Sequence, residues 1–162
     1  MSIDTAKQKL FATLVDKAII ASRQINSLLE TEFDALSGNK PEVLQSLIEE
    51  KKQHLISLRQ VMAEQESLLY SMQLSNDAEG VKTLYANIPS DHEWIKNWSK
   101  LKKLAQTMAD NNLRNGIMLQ QRTDSTRAAL SILTGRNQEQ ASTYQYGGRT
   151  NNTHESKILA YA

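Results

Sequence analysis

The sequence predicts an all-α fold: a long antiparallel helical hairpin plus a third long helix in a coiled-coil-like bundle, followed by a flexible C-terminal tail. Apolar residues recur every three or four positions over three long stretches, which is the spacing that aligns side chains along one side of a helix. The chain of 162 residues has only six glycines and two prolines. These residues are clustered rather than spaced at the short regular intervals of a β-rich chain.

The first two predicted helices, at about residues 3–37 and 41–74, are separated by the sequence SGNKPE. Gly38 suits the left-handed position after a helix, and Pro41 suits the first turn of the next helix. Because this connection is short, we expect the two helices to lie side by side and antiparallel. The apolar stripe of the first helix is predicted to contain Leu10, Leu14, Ala18, Ala21, Ile25, Leu28, Leu29, Phe33 and Leu36.

The third predicted helix covers about residues 90–134. Ser90 and Glu93 have the spacing of a capping box, and Gly135 suits the residue that ends the helix. A short helical turn is also predicted at about residues 81–88, before Pro89. The helical bundle is therefore expected to extend over residues 1–135.

The apolar stripe of the third helix is interrupted near its middle by Asn112, Asn115 and Gly116. A glycine inside a helix costs roughly 1 kcal/mol relative to alanine, and a buried asparagine needs hydrogen-bond partners or sets a packing register. The stripe resumes at Ala129 and Leu130. We therefore expect the second half of this helix to be less completely buried than the first.

Nothing in the sequence indicates an enzyme. The chain contains no cysteine, which excludes thiol nucleophiles, thiolate metal ligands and disulfides. His54, His92 and His154 are far apart, and no glutamate is followed three residues later by a histidine, as in di-metal helix bundles. No glycine-rich loop follows a strand. We therefore expect a non-enzymatic protein without a metal or another cofactor.

The charge pattern gives no indication of a nucleic-acid partner. The net charge is +1, although the segment WIKNWSKLKKL places four lysines around Trp94 and Trp98. Because the tryptophans are four residues apart on the apolar stripe, they are better explained as core side chains beside a solvated lysine face. The N-terminus lacks the pattern of a signal peptide, and no stretch approaches the roughly 18 apolar residues of a membrane helix. We expect a cytoplasmic protein without membrane insertion.

The last part of the sequence, STYQYGGRTNNTHESKILAYA, has no regular apolar spacing. It predicts a flexible tail over residues 136–162. Tyr146 offers a side chain with an apolar ring and a polar tip, and Gly147 allows the backbone to turn beside it, as a short docking motif would need.

Several stretches, in this order along the chain, resemble the FlgN family of flagellar export chaperones. The most specific feature is the pair Asn115 and Gly116 followed much later by Tyr146 and Gly147. The stretches are LLETEFDALSGN, LQSLIEEKKQHLISL, Trp98 with Leu101, NNLRNGIML, LSILTG and YQYGGR.

This resemblance implies an all-α cytoplasmic chaperone of bacterial flagellar assembly. Its family binds the C-terminal helical ends of the hook-filament junction proteins FlgK and FlgL and delivers them unassembled to the flagellar type III export apparatus. The family's client-binding region corresponds here to the last half of the third helix. The family's late tyrosine-glycine pair docks on the cytoplasmic domain of the export gate, and Tyr146 and Gly147 match that pair.

A client whose terminal helices assemble only outside the cell exposes apolar stripes before export, and a chaperone helix with a spare stripe can cover them. We expect this surface to be formed by Ile117, Leu119, Ala129, Leu130 and Leu133. Each of these residues could instead complete the bundle of the chain itself. For the whole protein, the alternatives are a structural coiled coil that self-associates, for instance as a homodimer, and a chaperone for another type III substrate.

Overall fold

The computed structural model describes residues 4–135, and these residues form four α-helices. The helices are α1 (Thr5–Ser37), α2 (Pro41–Ser71), α3 (Ala78–Leu84) and α4 (Glu93–Leu133). Residues 4–135 contain no strand, and the all-α prediction is confirmed. The predicted tail lies outside the described residues. The chain divides into two compact units, Met1–Asn115 and Gly116–Ala162.

The turn between α1 and α2 differs from the prediction in the residue that reverses the chain. Asn39, with φ of 52°, takes the left-handed position, whereas Gly38 remains helical with φ of −82°. Asparagine tolerates this conformation better than most residues. The Lys40 N–H donates to the Ala35 carbonyl at 2.9 Å, which closes a Schellman motif at the end of α1. Pro41 is the first residue of α2, as predicted.

One core cluster of the first unit joins the start of α1, the end of α2, α3 and the start of α4. Phe11 lies at its centre with no exposed surface, and its ring centroid is 6.0 Å from that of Tyr85 and 5.8 Å from that of Trp98. Leu10, which the spacing predicted to be buried, is 51% exposed. Because α1 is contacted by more than one helix, its buried arc is wider than a single stripe. The buried members are Phe11, Val15, Ile19, Leu69, Val81, Leu84 and Tyr85.

Helix α3 begins earlier than the predicted turn because Asp77 caps it. The Asp77 carboxylate accepts hydrogen bonds from the Ser75 hydroxyl at 2.6 Å and from the Gly80 N–H at 2.8 Å. These two hydrogen bonds lower the pKa of Asp77, and the bond from Ser75 has the larger effect. A Cβ atom at Gly80 would lie 1.8 Å from the Ser75 carbonyl oxygen, so this position requires glycine.

Helix α4 begins at Glu93, whereas a capping box formed by Ser90 and Glu93 would begin it at Asp91, two residues earlier, so that prediction is wrong. His92 caps the helix instead. Its carbonyl accepts from the Lys96 N–H at 3.2 Å, and its ring Nδ1 accepts from the Trp94 N–H at 3.2 Å. Trp94 and Trp98 pack against the core cluster, as the sequence predicts.

A second core cluster joins the middle of α1 and α2 to α4. Within the first unit α4 runs parallel to α1, since Asn97 donates to Asp16 at 2.9 Å and Asn26 donates to the Leu104 carbonyl at 3.2 Å. The buried members of this cluster are Ala18, Ala21, Ile25, Leu29, Leu58 and Met108.

Within residues 4–135, no helix is long and apolar enough to span a bilayer.

Candidate functional site

A buried polar network ties α4 to α1 and α2 at the end of the first unit. Asn115 is 3% exposed, and its amide donates to the Leu29 carbonyl at 2.7 Å and to one Glu32 oxygen at 2.8 Å. The other Glu32 oxygen contacts the Lys51 ammonium at 2.6 Å. One carboxylate of α1 therefore holds a side chain of α4 and a side chain of α2.

Arg114 completes the surroundings of Asn115. Its Nε donates to the Asn115 side-chain oxygen at 3.2 Å, and its guanidinium lies 3.8 Å from the centre of the Phe33 ring. It also contacts Glu30 at 3.4 Å. Both the amide nitrogen and the amide oxygen of Asn115 are thus hydrogen-bonded, so its burial carries no unpaired polar atom.

Sequence reasoning indicated that a buried Asn115 needs partners but did not identify them. Glu32 and Lys51 lie in two of the stretches that carry the family resemblance, LLETEFDALSGN and LQSLIEEKKQHLISL. A charged residue next to an apolar stripe is usually solvated, so neither residue stood out from its spacing. The signal that could have found them is the presence of a carboxylate and an ammonium close to the turn that joins α1 and α2.

Removing the Asn115 amide should destabilise the first unit. In Asn115→Ala, Glu32 loses a buried donor, and we expect the free energy of unfolding to fall by about 1–3 kcal/mol. Asn112→Ala is the matched control, because Asn112 is exposed in the same helix and should change stability by less than about 0.5 kcal/mol. Urea unfolding followed by far-UV circular dichroism measures both. Equal effects of the two substitutions would contradict a role for the network.

The described part of the second unit, residues 116–135, contains the remainder of α4. The helix ends at Leu133, and Gly135 follows in the left-handed region with φ of 66°, as predicted for the residue that stops the helix. None of residues 116–135 is buried. A Cβ atom at Gly116 would meet nothing within 4 Å, so packing does not require glycine there.

The predicted client-binding residues are all exposed. Ile117 is 53% exposed, Leu119 and Leu130 are each 54% exposed, and Leu133 is 82% exposed. Ala129 is also exposed. Leucine side chains with half or more of their surface in water retain apolar area that a partner could bury.

Four of these five residues share one side of the helix. With about 100° of rotation per residue, Leu119 and Leu130 lie about 20° apart, and Ala129 and Leu133 fall with them inside an arc of about 100°. We call these four residues the leucine face. Ile117 lies about 120–160° away from all of them, so it cannot contact the same partner helix as the others.

The predicted docking pair and the possibility of a metal site remain to be considered. Tyr146 and Gly147 lie outside the described residues. Within residues 4–135, no three histidine, aspartate or glutamate side chains come together as a metal site would require.

The similarities to known proteins agree with each other. The family model described as FlgN protein matches residues 1–152. A crystal structure described as that of a flagella synthesis protein FlgN from Pseudomonas aeruginosa is similar, with a TM-score of 0.61 and 29% sequence identity. The similarity covers 75% of this chain and 93% of that one. Comparison with the curated proteins gives no significant match.

Proposed function

Because the chain belongs to the FlgN family, we propose that it is a cytoplasmic chaperone of flagellar type III export whose clients are FlgK and FlgL. The observation that carries the proposal is the leucine face: four exposed apolar residues on one side of a helix. The C-terminal helical ends of the clients would pack along this face. Their apolar stripes would then be covered until export, which prevents premature assembly.

The size of the leucine face suits a reversible complex. Full burial of one leucine contributes about 1.5–3 kcal/mol, so the exposed parts of Leu119, Leu130 and Leu133 together offer about 3–6 kcal/mol. A micromolar complex needs about 8 kcal/mol. The remainder would come from polar contacts, for which Arg122 and Thr126 lie within the same arc of the helix. Such a client can be released at the export apparatus.

Binding of FlgK and FlgL tests the proposal directly. The full-length chain would be titrated calorimetrically with the C-terminal fragment of each client, while its mass is measured by light scattering. Saturable binding to both fragments by a chain of constant mass is the expected result. Absence of binding, together with association of the chain with itself, would instead support the alternative of a structural coiled coil whose leucine face pairs with a second copy.

We further propose that Tyr146 and Gly147 dock on the cytoplasmic domain of the export gate. Tyr146→Ala should then leave the affinity for the FlgL fragment within about twofold and weaken binding to the gate domain by about tenfold or more, as expected for loss of an aromatic anchor. Tyr144→Ala, two residues earlier, is the matched control. If Tyr146→Ala weakens both interactions equally, the client and gate functions are not divided in this way.

A further inference from the structure

A second apolar surface lies within the first unit, between α3 and the first turns of α4. Its floor is formed by Val81 of α3, by Tyr85, which directly follows α3, and by Ile95 and Trp98 of α4. On each helix these residues are three or four positions apart, so each contributes one stripe. The resulting groove has a volume of about 570 Å³ and is open to solvent along its length. We call it the α3–α4 groove.

The remaining lining residues of the groove are suited to a helix rather than to a compact ligand. Ala78, Ala86 and Ser99 are small, and all three are exposed at its edges. The distance at which two helices pack depends on the side chains at the contact, and small ones allow close approach. With about 1.5 Å of rise per residue, the seven-residue helix α3 is about as long as two turns of a partner helix.

The groove is bordered by positive charge. Lys82 of α3 and Lys102 of α4 line the groove, and both are exposed. Lys82 has one weak ion pair, a 3.5 Å contact with Glu79 in which both side chains are more than 70% exposed. Among residues 4–135, the side chain of Lys102 makes no ion pair or hydrogen bond. Among the described residues, two lysines and one acidic residue, Glu79, line the groove, so positive charge exceeds negative charge at its mouth.

One residue that lines the groove, Tyr85, has a polar group without a hydrogen-bond partner. Tyr85 is 5% exposed, and within the described residues its hydroxyl is buried without a hydrogen-bond partner. Burial, and then the nearby Asp16, raise the pKa of Tyr85, so the hydroxyl remains a donor at neutral pH. A buried donor without an acceptor costs about 1–3 kcal/mol.

We propose that the α3–α4 groove binds a short amphipathic helix of a partner protein, with apolar residues facing the groove and acidic residues along its flanks. The apolar side chains would cover Ile95 and Trp98, and the acidic side chains would meet Lys82 and Lys102. These residues differ from those of the leucine face. The groove is therefore a docking surface for a second partner, in addition to the proposed clients.

Nucleic acid fits this surface less well than a helix does. Trp98 packs against Phe11 with a centroid distance of 5.8 Å, and Trp94 lies 6.1 Å from Tyr85, so both rings already have aromatic neighbours. Bases stack on rings that present a free face. In the part of the chain that the structure describes, no arginine lines the groove.

The test uses the full-length chain with Trp94→Phe, which leaves Trp98 as the one tryptophan and thus as a fluorescent reporter of the groove. The probe is a synthetic helical peptide of about 14 residues with leucines at positions i, i+3, i+4 and i+7 and glutamates on both flanks. A second peptide has lysine in place of every glutamate. We expect the acidic peptide to shift Trp98 emission and to bind about tenfold or more tightly than the basic one, with a difference that shrinks as salt is added.

Charge reversal in the groove locates the site. The double variant Lys82→Glu with Lys102→Glu should bind the acidic peptide about tenfold or more weakly. The control is Lys40→Glu with Lys52→Glu, which changes two exposed lysines away from the groove and should alter the affinity by less than about twofold. Circular dichroism verifies that all variants are folded, and retained binding of the FlgL fragment separates this test from that of the client site. The proposal would be overturned if the two peptides bound with equal affinity, or if the acidic peptide did not bind at about 1 mM. It would also be overturned if both double lysine variants lost affinity for the acidic peptide equally. A response of Trp98 to single-stranded DNA but not to the acidic peptide would overturn it as well.

Discussion

Replacing Leu119, Leu130 and Leu133 together by glutamine should weaken binding of the FlgL C-terminal fragment by about 100-fold or more. The three side chains are 54%, 54% and 82% exposed, so their apolar surface is available for burial by a client. Glutamine has nearly the helix propensity of leucine, and exposed substitutions usually change stability by less than about 0.5 kcal/mol. Calorimetric titration of the variant, with circular dichroism to show that its helix content persists, measures the effect.

The position of Ile117 provides a matched control for the leucine face. Its exposure of 53% is nearly that of Leu130, but it lies on another side of the helix. Leu130→Gln alone should weaken client binding by about fivefold or more, and Ile117→Gln by less than about twofold. Equal losses would mean that the client surrounds the helix or that both substitutions act through folding, and the proposed face would be wrong.

Phe11→Ala should lower the free energy of unfolding of the first unit by about 3–5 kcal/mol, the largest stability effect expected for a single residue in this chain. Phe11 is completely buried, and its ring contacts Tyr85 at the end of α3 and Trp98 of α4. The substitution leaves a cavity where these helices meet α1. Because a domain is typically stable by about 5–15 kcal/mol, this loss would leave the unit close to unfolding at ambient temperature. Urea denaturation followed by circular dichroism and tryptophan fluorescence measures it.

The neighbouring residue Leu10 is the control for this prediction. It is 51% exposed, so Leu10→Ala should cost about 1 kcal/mol or less. If Leu10→Ala destabilised the chain as much as Phe11→Ala, the result would contradict a core in which Phe11 is buried and Leu10 is exposed.

The helices were predictable because their signals are local and repeated. The apolar period defines α1 and α2 along their length, and Pro41 fixes the start of α2. The details of the helix ends were less predictable, since several nearby residues can satisfy the same backbone groups. At the start of α4 the ring of His92 replaces the expected Ser90 cap, and after α1 Asn39 takes the conformation expected of Gly38.

The packing of α1 could not be read from one stripe. Leu10 and Phe11 are adjacent and both apolar, and the choice between them depends on where α3 and α4 approach α1. That approach is a long-range feature without a local signal in the sequence. Asn115 gave a partial signal, because an amide within an apolar stripe must find partners, but Glu32 and Lys51 are distant in sequence.

The candidate client site was predictable in composition and only partly in geometry. Exposed leucines after Gly116 were expected from the weak middle of the stripe, and they are exposed. Ile117, which was predicted to belong to the same surface as Leu119, is exposed as well. The helical period separates the two by about 160°, which removes Ile117 from the surface that a single client helix can cover.

Site-specific photo-cross-linking is the most direct test of whether the client binds at the leucine face. Benzoylphenylalanine would be placed at position 117, 119 or 130 in the second unit, or at the exposed Ile56 in the first unit, and each full-length variant would be irradiated with the FlgL C-terminal fragment. Client binding at the leucine face predicts cross-links from positions 119 and 130 and few or none from positions 117 and 56. Cross-links from position 56 in the absence of any from positions 119 and 130 would contradict it, because the client would then bind the first unit and not the leucine face.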